Sequence, residues 1–260
     1  MMIRKDVALA YKDRNDISYY LPEKIMAKIP VVILSPGYGG TKELEGTDYA
    51  LCKELTKLSI AFVAFSPFSF GETKGDDKDF SYGRWSDNLE DVCRWVMQQE
   101  WADVNRIGCY AVSSGTTAAI RYAQRSNDLK FIVSVATSLS LHVGMNDSPI
   151  LKYLRIKLAN SDEKFPDYFG KKVSETFYVD SIIGNPIFKI GDIKCPVFYL
   201  QGKKDNIWRR TDALIGYEIM KENGQQTKYV EIENGDHLLY ETPDDCIKET
   251  VNWLKEIQII

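Results

Sequence analysis

Histidine is scarce in this chain: 260 residues hold two, His142 and His237. Any chemistry that needs an imidazole is therefore confined to two places. The five cysteines (Cys52, Cys93, Cys109, Cys195 and Cys246) are scattered, odd in number and free of C-x-x-C spacing. That pattern argues against a zinc site or a redox pair and reads as reduced, mostly buried small hydrophobes. No apolar run approaches the roughly 20 residues of a membrane span. Residues Met1 to Asp6 form no apolar core of signal-peptide length, so a cytoplasmic protein without a membrane partner is expected. Lysine and arginine (33) are outnumbered by aspartate and glutamate (37), for a net charge of −4. No basic face emerges, which argues against a nucleic-acid partner. A phosphate loop is missing too, because no G-x-x-x-x-G-K-[ST] occurs.

What is present is an ordinary globular composition, 44% hydrophobic and 27% charged. The length suits one large α/β domain with an insertion, or two small domains. No repeat or low-complexity linker interrupts it. Residues 2–11 and 17–21 alternate around an Asp13–Asp16 turn cluster and predict an antiparallel hairpin. Short continuous apolar runs at 30–34, 60–65, 107–112, 130–136 and 195–200, with a last strand at 227–232, predict strands covered on both faces. Helix-compatible stretches alternate with them: 43–58, one from an N-cap at Ser86 to about Gln99, one after Gly115 to about Arg125, 210–223, and 243–257. This alternation implies a doubly wound, mainly parallel sheet with helices on both faces. Residues 137–192 break the rhythm with prolines, glycines and many aromatics, and only 150–158 reads as helix. They are expected to form a cap inserted over the sheet's C-terminal edge, where ligands bind in such folds.

Arg106-Ile-Gly-Cys-Tyr-Ala-Val-Ser113-Ser-Gly-Thr-Thr-Ala-Ala119 reads as buried strand, tight turn and helix start. A serine at such a corner is pushed clear of the sheet, with the helix N-terminus behind it. The residues two before and two after the tip must be very small. Centring on Ser113 places Ala111 and Gly115 there; centring on Ser114 places β-branched Val112 and Thr116. Ser113 is the candidate nucleophile. Taken alone, A-x-S-x-G also fits any strand–loop–helix junction.

A serine hydroxyl needs a base, usually imidazole. His237, in a glycine-containing loop just past the last strand, is the candidate; His142, in the proposed cap, reads as structural. The imidazole in turn needs a carboxylate. Asp205, after the preceding strand, ranks first and Asp236, adjacent to His237, second, while Asp192 and Asp212 read as surface or capping acids. The backbone N–H groups of Ser114 and of Tyr38, in Ser35-Pro-Gly-Tyr-Gly-Gly40, are the candidate oxyanion donors.

In chain order these residues run Ser113, Asp205, His237, and the sequence resembles the α/β-hydrolase fold superfamily, whose triad runs Ser, Asp/Glu, His. Val31 to Gly40 is similar to that family's strand and H-G oxyanion turn, and Ser66 to Thr73 to its D-x-x-G-x-G-x-S segment. Gly202-Lys-Lys-Asp205 and Gly235-Asp-His237 are similar to its acid and histidine turns. Pro36 stands where the family usually has histidine, Ala111 where it has glycine, and Ser66 and Ser69 where it has aspartate and glycine. The likeness is greatest to small cap-bearing carboxylesterases, including the feruloyl/cinnamoyl group, and to single-domain relatives of serine oligopeptidases. It implies hydrolysis of a small-molecule ester through an acyl-enzyme on Ser113, with no metal or organic cofactor. The aromatic cap and Trp208 suggest an apolar or aromatic acyl group. A peptidase and a non-catalytic ligand-binding protein of the same fold are the competing readings, and a homo-oligomer is compatible with the composition.

Overall fold

The structure, a computed structural model, describes residues 2–10, 14–73, 75–141, 143–145 and 147–260. His142 lies outside the described residues, as does Asp13 of the expected turn cluster. The rest of that cluster, Arg14, Asn15 and Asp16, is a correction: these residues are strand rather than turn, paired with Ala10, Leu9 and Ala8. The chain opens with an antiparallel pair, β1 (Met2–Ala10) and β2 (Arg14–Pro22). Then come β3 (Ile29–Ser35), α1 (Gly46–Lys57), β4 (Ala61–Ser66), α2 (Tyr82–Met97), β5 (Ala102–Val112) and α3 (Ser114–Ala123). β6 (Ile132–Val135) is followed by α4 (Pro149–Leu158), α5 (Glu175–Ile183) and a 3-10 stretch, Pro186–Asp192. The chain closes with β7 (Val197–Gly202), α6 (Arg210–Glu222), β8 (Thr227–Ile232) and α7 (Pro243–Glu256).

The strands make one 8-stranded sheet in the order β1-β2-β4-β3-β5-β6-β7-β8. β2 meets β4 antiparallel; every later pairing is parallel. The inner strands are buried and mostly apolar, β5 from Ile107 onward, because both faces are covered. In β3, Val31 and Ile33 join the core under α2, α3 and α6, while Val32 and Leu34 join the core under α1 and α7. β5 divides the same way, with Ile107, Cys109 and Ala111 on one face and Tyr110 and Val112 on the other. Trp253 of α7 closes the second core against Phe131 and Phe198. Burying one such side chain contributes about 1.5–3 kcal/mol.

Two helix expectations are also corrected. The helix expected from a Ser86 cap begins a turn earlier: Ser81 is the N-cap, its side chain accepting from the Arg84 N–H. The apolar stripe already starts at Tyr82 and Trp85, so Ser86 falls inside the helix, buried, and accepts from Arg125. Within residues 137–192, α5 was not foreseen; its aromatic stripe (Phe177, Tyr178) packs against Tyr168, Tyr153 and Phe80 rather than showing a clean helical period. This β6–β7 segment reaches back over the β3 turn, where the Tyr38 hydroxyl donates to the Tyr168 carbonyl. Met145 also bridges to Trp208 beyond β7.

Candidate active site

The β5–α3 corner is built by close approach. A Cβ on Gly115 would fall 2.1 Å from the Ser35 carbonyl oxygen and 2.3 Å from that of Pro36, so only glycine fits. Ala111 sits between Ser35 of β3 and Ser134 of β6 in the sheet. Ser113 itself adopts φ 51°, ψ −121°, a conformation that costs a non-glycine residue on the order of 1–3 kcal/mol. Its surroundings enforce it. The Ser113 N–H donates to the Val135 carbonyl, and the Ser113 carbonyl accepts from the Thr116 N–H, the Thr116 hydroxyl and the Ser138 hydroxyl.

The two loops that supply the other members are pressed together by a pair of glycines. A Cβ on Gly202 would lie 2.3 Å from the Asp236 carbonyl oxygen, and one on Gly235 would lie 3.0 Å from Gly202 Cα. The Lys204 N–H donates to the Gly235 carbonyl across this seam. The result is one continuous chain. His237 Nε2 lies 2.9 Å from Ser113 Oγ, and His237 Nδ1 lies 2.8 Å from Asp205 Oδ2. The Asp205 side chain is fully excluded from solvent and that of His237 is 10% exposed.

Asp205 is held as a carboxylate. Burial alone would raise its pKa, but the hydrogen bond and charge of His237 and the N–H groups of Trp208 and Ile207 outweigh that and hold it below its ordinary value. Oδ1 accepts both backbone N–H groups at 2.9 Å, leaving Oδ2 for the imidazole and the Gln201 amide. With Oδ2 as acceptor, Nδ1 carries the ring proton and Nε2 presents its lone pair to Ser113.

The structure thus brings Ser113, Asp205 and His237 together. Asp236, ranked second as the acid, turns away and accepts from the Glu241 N–H. Ser114 is buried and its hydroxyl pairs with that of Tyr82, so the alternative register has no route to His237. Ser114 is the first residue of α3, where backbone N–H groups have no partner within the helix. The Tyr38 turn lies against the same spot: a Cβ on Gly37 would be 3.6 Å from Ser113 Cβ. Asp192 is exposed, as expected, whereas Asp212 is a correction. It is 3% exposed and accepts from the N–H groups of Leu139 and Ser140 and from the indole of Trp208. Trp208 is thereby fixed, and its own N–H in turn holds Asp205.

Gln201 was missed. A polar side chain closing the run Val197-Phe-Tyr-Leu-Gln201, four residues before the acid, was the available signal. Of the departures, Ser66 accepts from the Lys42 N–H, just after the Ser35–Gly40 turn. Ser69 holds a left-handed φ of 69° and hydrogen-bonds both Asp77 and Lys171. The site opens into a cleft of about 440 Å³ whose walls include Met145, Phe169, Ile207 and Trp208.

No protein-family model matches the sequence, and no curated protein does. Solved structures match across the whole chain. GrgF, an alpha/beta hydrolase from Penicillium sp. sh18, is 17% identical over 98% of each chain with a TM-score of 0.74. This chain has the α/β-hydrolase fold. Est1E from Butyrivibrio proteoclasticus, solved with ferulic acid bound, shares that fold at 14% identity over 96% of this chain and 98% of that one, TM-score 0.77. Acylaminoacyl peptidase from Pyrococcus horikoshii is 16% identical over 99% of this chain but 41% of its own, TM-score 0.69. Among the described residues, no helix of this hydrolase-fold chain is long and apolar enough to cross a membrane.

Proposed function

We propose that the protein is a serine hydrolase that cleaves carboxylic esters by transferring an acyl group to water. The observation that carries this reading is the hydrogen-bonded chain from Ser113 Oγ through the His237 ring to Asp205 Oδ2. In the first half-reaction Ser113 Oγ attacks the carbonyl carbon while His237 Nε2 takes the hydroxyl proton. Asp205 keeps the ring oriented and stabilises the imidazolium. The backbone N–H groups of Tyr38 and Ser114 receive the oxyanion, and loss of one such donor costs roughly a hundredfold or more. His237 then returns the proton to the departing alkoxide. In the second half-reaction water attacks the acyl-Ser113 carbonyl while His237 takes its proton, and His237 then hands that proton to the departing Ser113 Oγ as the carboxylic acid leaves.

The fold neighbours agree with this class of chemistry. Est1E with ferulic acid bound and an acylaminoacyl peptidase both share the fold. The apolar wall of Met145, Phe169, Ile207 and Trp208 fits an apolar acyl group, and the β6–β7 segment would act as the cap that shields it.

Intact-mass measurement after exposure to a fluorophosphonate probe tests the reading on wild type, Ser113→Ala and Ser114→Ala. A single adduct that disappears only in Ser113→Ala is expected, followed by turnover of simple acyl esters in preference to the matching amides. Folded wild-type protein that takes no adduct and turns over no ester would overturn it.

A further inference from the structure

The cleft in front of Ser113 has two unlike walls. One is apolar; the other, at the start of α1, presents Glu43, Glu45 and Asp48, and no lysine or arginine lines the cleft among the described residues. The three acids are not equivalent. Glu43 is neutralised by Arg4, whose guanidinium lies 2.7 Å away and lowers the Glu43 pKa. Asp48 has no such partner: among the described residues no hydrogen bond or ion pair reaches its carboxylate, although burial alone pushes it up to about 7. Glu45 is exposed at the helix cap one turn earlier, likewise without an ion-pair partner among the described residues.

An aromatic face completes this wall. Tyr240, 46% exposed, lines the cleft three residues after His237. Its ring packs on Gly46, where a Cβ would fall 2.9 Å from Tyr240 Cε1. Tyr240 is near enough to both acids that, after burial, the charges of Asp48 and Glu45 are the main causes raising its phenol. Asp48 is half-buried, so its carboxylate lines the cleft with part of its hydration removed and, among the described residues, no cation beside it. Carboxylates beside an aromatic face are the groups that bind an ammonium or another organic cation, by charge and by the ring quadrupole. Among the described residues no group of three His, Cys, Asp or Glu side chains is placed to hold a metal ion, which favours a large, diffuse cation over a metal.

We propose that the cleft selects esters bearing a cationic nitrogen a few bonds from the reacting carbonyl, held by Asp48, Glu45 and the ring of Tyr240. The inference rests on the hydrolase reading above. The apolar wall takes the remainder of the substrate.

Isosteric pairs test it. The acyl ester of 2-(trimethylammonio)ethanol is compared with that of 3,3-dimethylbutanol, and the 4-nitrophenyl ester of 4-(trimethylammonio)butanoate with that of 5,5-dimethylhexanoate. Each pair differs in charge and hardly in shape. In wild type, kcat/KM for the cationic member of at least one pair should exceed that of its neutral partner by tenfold or more. That ratio should shrink as salt is raised. Asp48→Asn should cut the ratio about tenfold, and Glu45→Lys should invert it; thermal unfolding of each variant verifies that it is folded. Ser113-dependent hydrolysis of the neutral esters with no preference for either cationic isostere overturns the cation inference and leaves the hydrolase reading intact. No hydrolysis of any of the four by folded protein overturns the cation inference, and the hydrolase reading falls with it only if that protein also takes no fluorophosphonate adduct.

Discussion

Gln201 and His237 share one acceptor. The Gln201 amide Nε2 and the His237 Nδ1 each lie 2.8 Å from Asp205 Oδ2, so the carboxylate is aimed by the strand that precedes it as well as by the imidazole. The other end of the amide accepts from the Thr137 N–H just after β6, which ties the acid to the next strand of the sheet.

Gln201→Met keeps the volume and removes both bonds. kcat/KM for a simple ester should fall about tenfold, the equivalent of about 1.4 kcal/mol. The loss should appear in kcat with KM little changed, because no substrate contact is lost. Steady-state kinetics beside a thermal melt check this, and an unchanged kcat in a folded variant would remove Gln201 from the positioning set.

Gly202→Ala attacks the seam between the acid and histidine turns. The new Cβ would meet the Asp236 and Gly235 carbonyl oxygens at 2.3 and 2.4 Å, and backbone atoms cannot rotate away as a side-chain tip can. The loops must separate, and a displacement of about 1 Å at a reacting group costs roughly a hundredfold in rate. A kcat/KM drop of at least that size is expected, with a stability loss on the order of 1–3 kcal/mol. Retained activity would mean that the seam relaxes elsewhere.

These two residues also mark what a sequence can and cannot disclose. The elbow was legible because its steric rule is local: small residues flank Ser113 two positions away on either side. The parallel order of the sheet followed from continuous apolar runs, and His237 stood out because imidazole is so scarce. Asp212 is illegible for the opposite reason. Its acceptor role is satisfied by the N–H groups of Leu139 and Ser140, remote in sequence and brought near only by the sheet. Ser86 is ambiguous in the sequence because an N-cap and a buried helical serine look alike until the partner, here Arg125, is known.

Asp205→Asn should abolish catalysis by a different route from side-chain loss. An amide placed to satisfy the Ile207 and Trp208 N–H groups with its oxygen presents its NH₂ to His237 Nδ1, which drives the ring proton onto Nε2 and blocks its role as base. kcat should fall by roughly 10⁴. The same variant reports on stability. A carboxylate whose pKa is depressed in the fold stabilises it above its unfolded pKa of about 3.9, and that contribution disappears as pH falls through the lower folded value. The melting-temperature advantage of wild type over Asp205→Asn should therefore be full at pH 7 and shrink below pH 4. A gap that widens on acidification would contradict the depressed carboxylate.

Asp48 carries the opposite sign. Burial raises its folded pKa to about 7, well above the ordinary aspartate value of about 3.9, with Glu45, Tyr240, Tyr110 and Cys246 as its titratable neighbours. The protonated acid suits the fold at pH 4 and below; as pH rises through about 7, ionisation costs stability. Asp48→Asn, which cannot ionise, should match wild type in Tm near pH 4 and exceed it by a few degrees at pH 8. A residue that destabilises its own fold at neutral pH is expected where a ligand offsets the cost. Adding tetramethylammonium should therefore raise the wild-type Tm at pH 8 and leave that of Asp48→Asn nearly unmoved. Calorimetry across this pH range decides: equal Tm differences at pH 4 and pH 8 would show that the carboxyl is solvated in both states and pays no burial penalty.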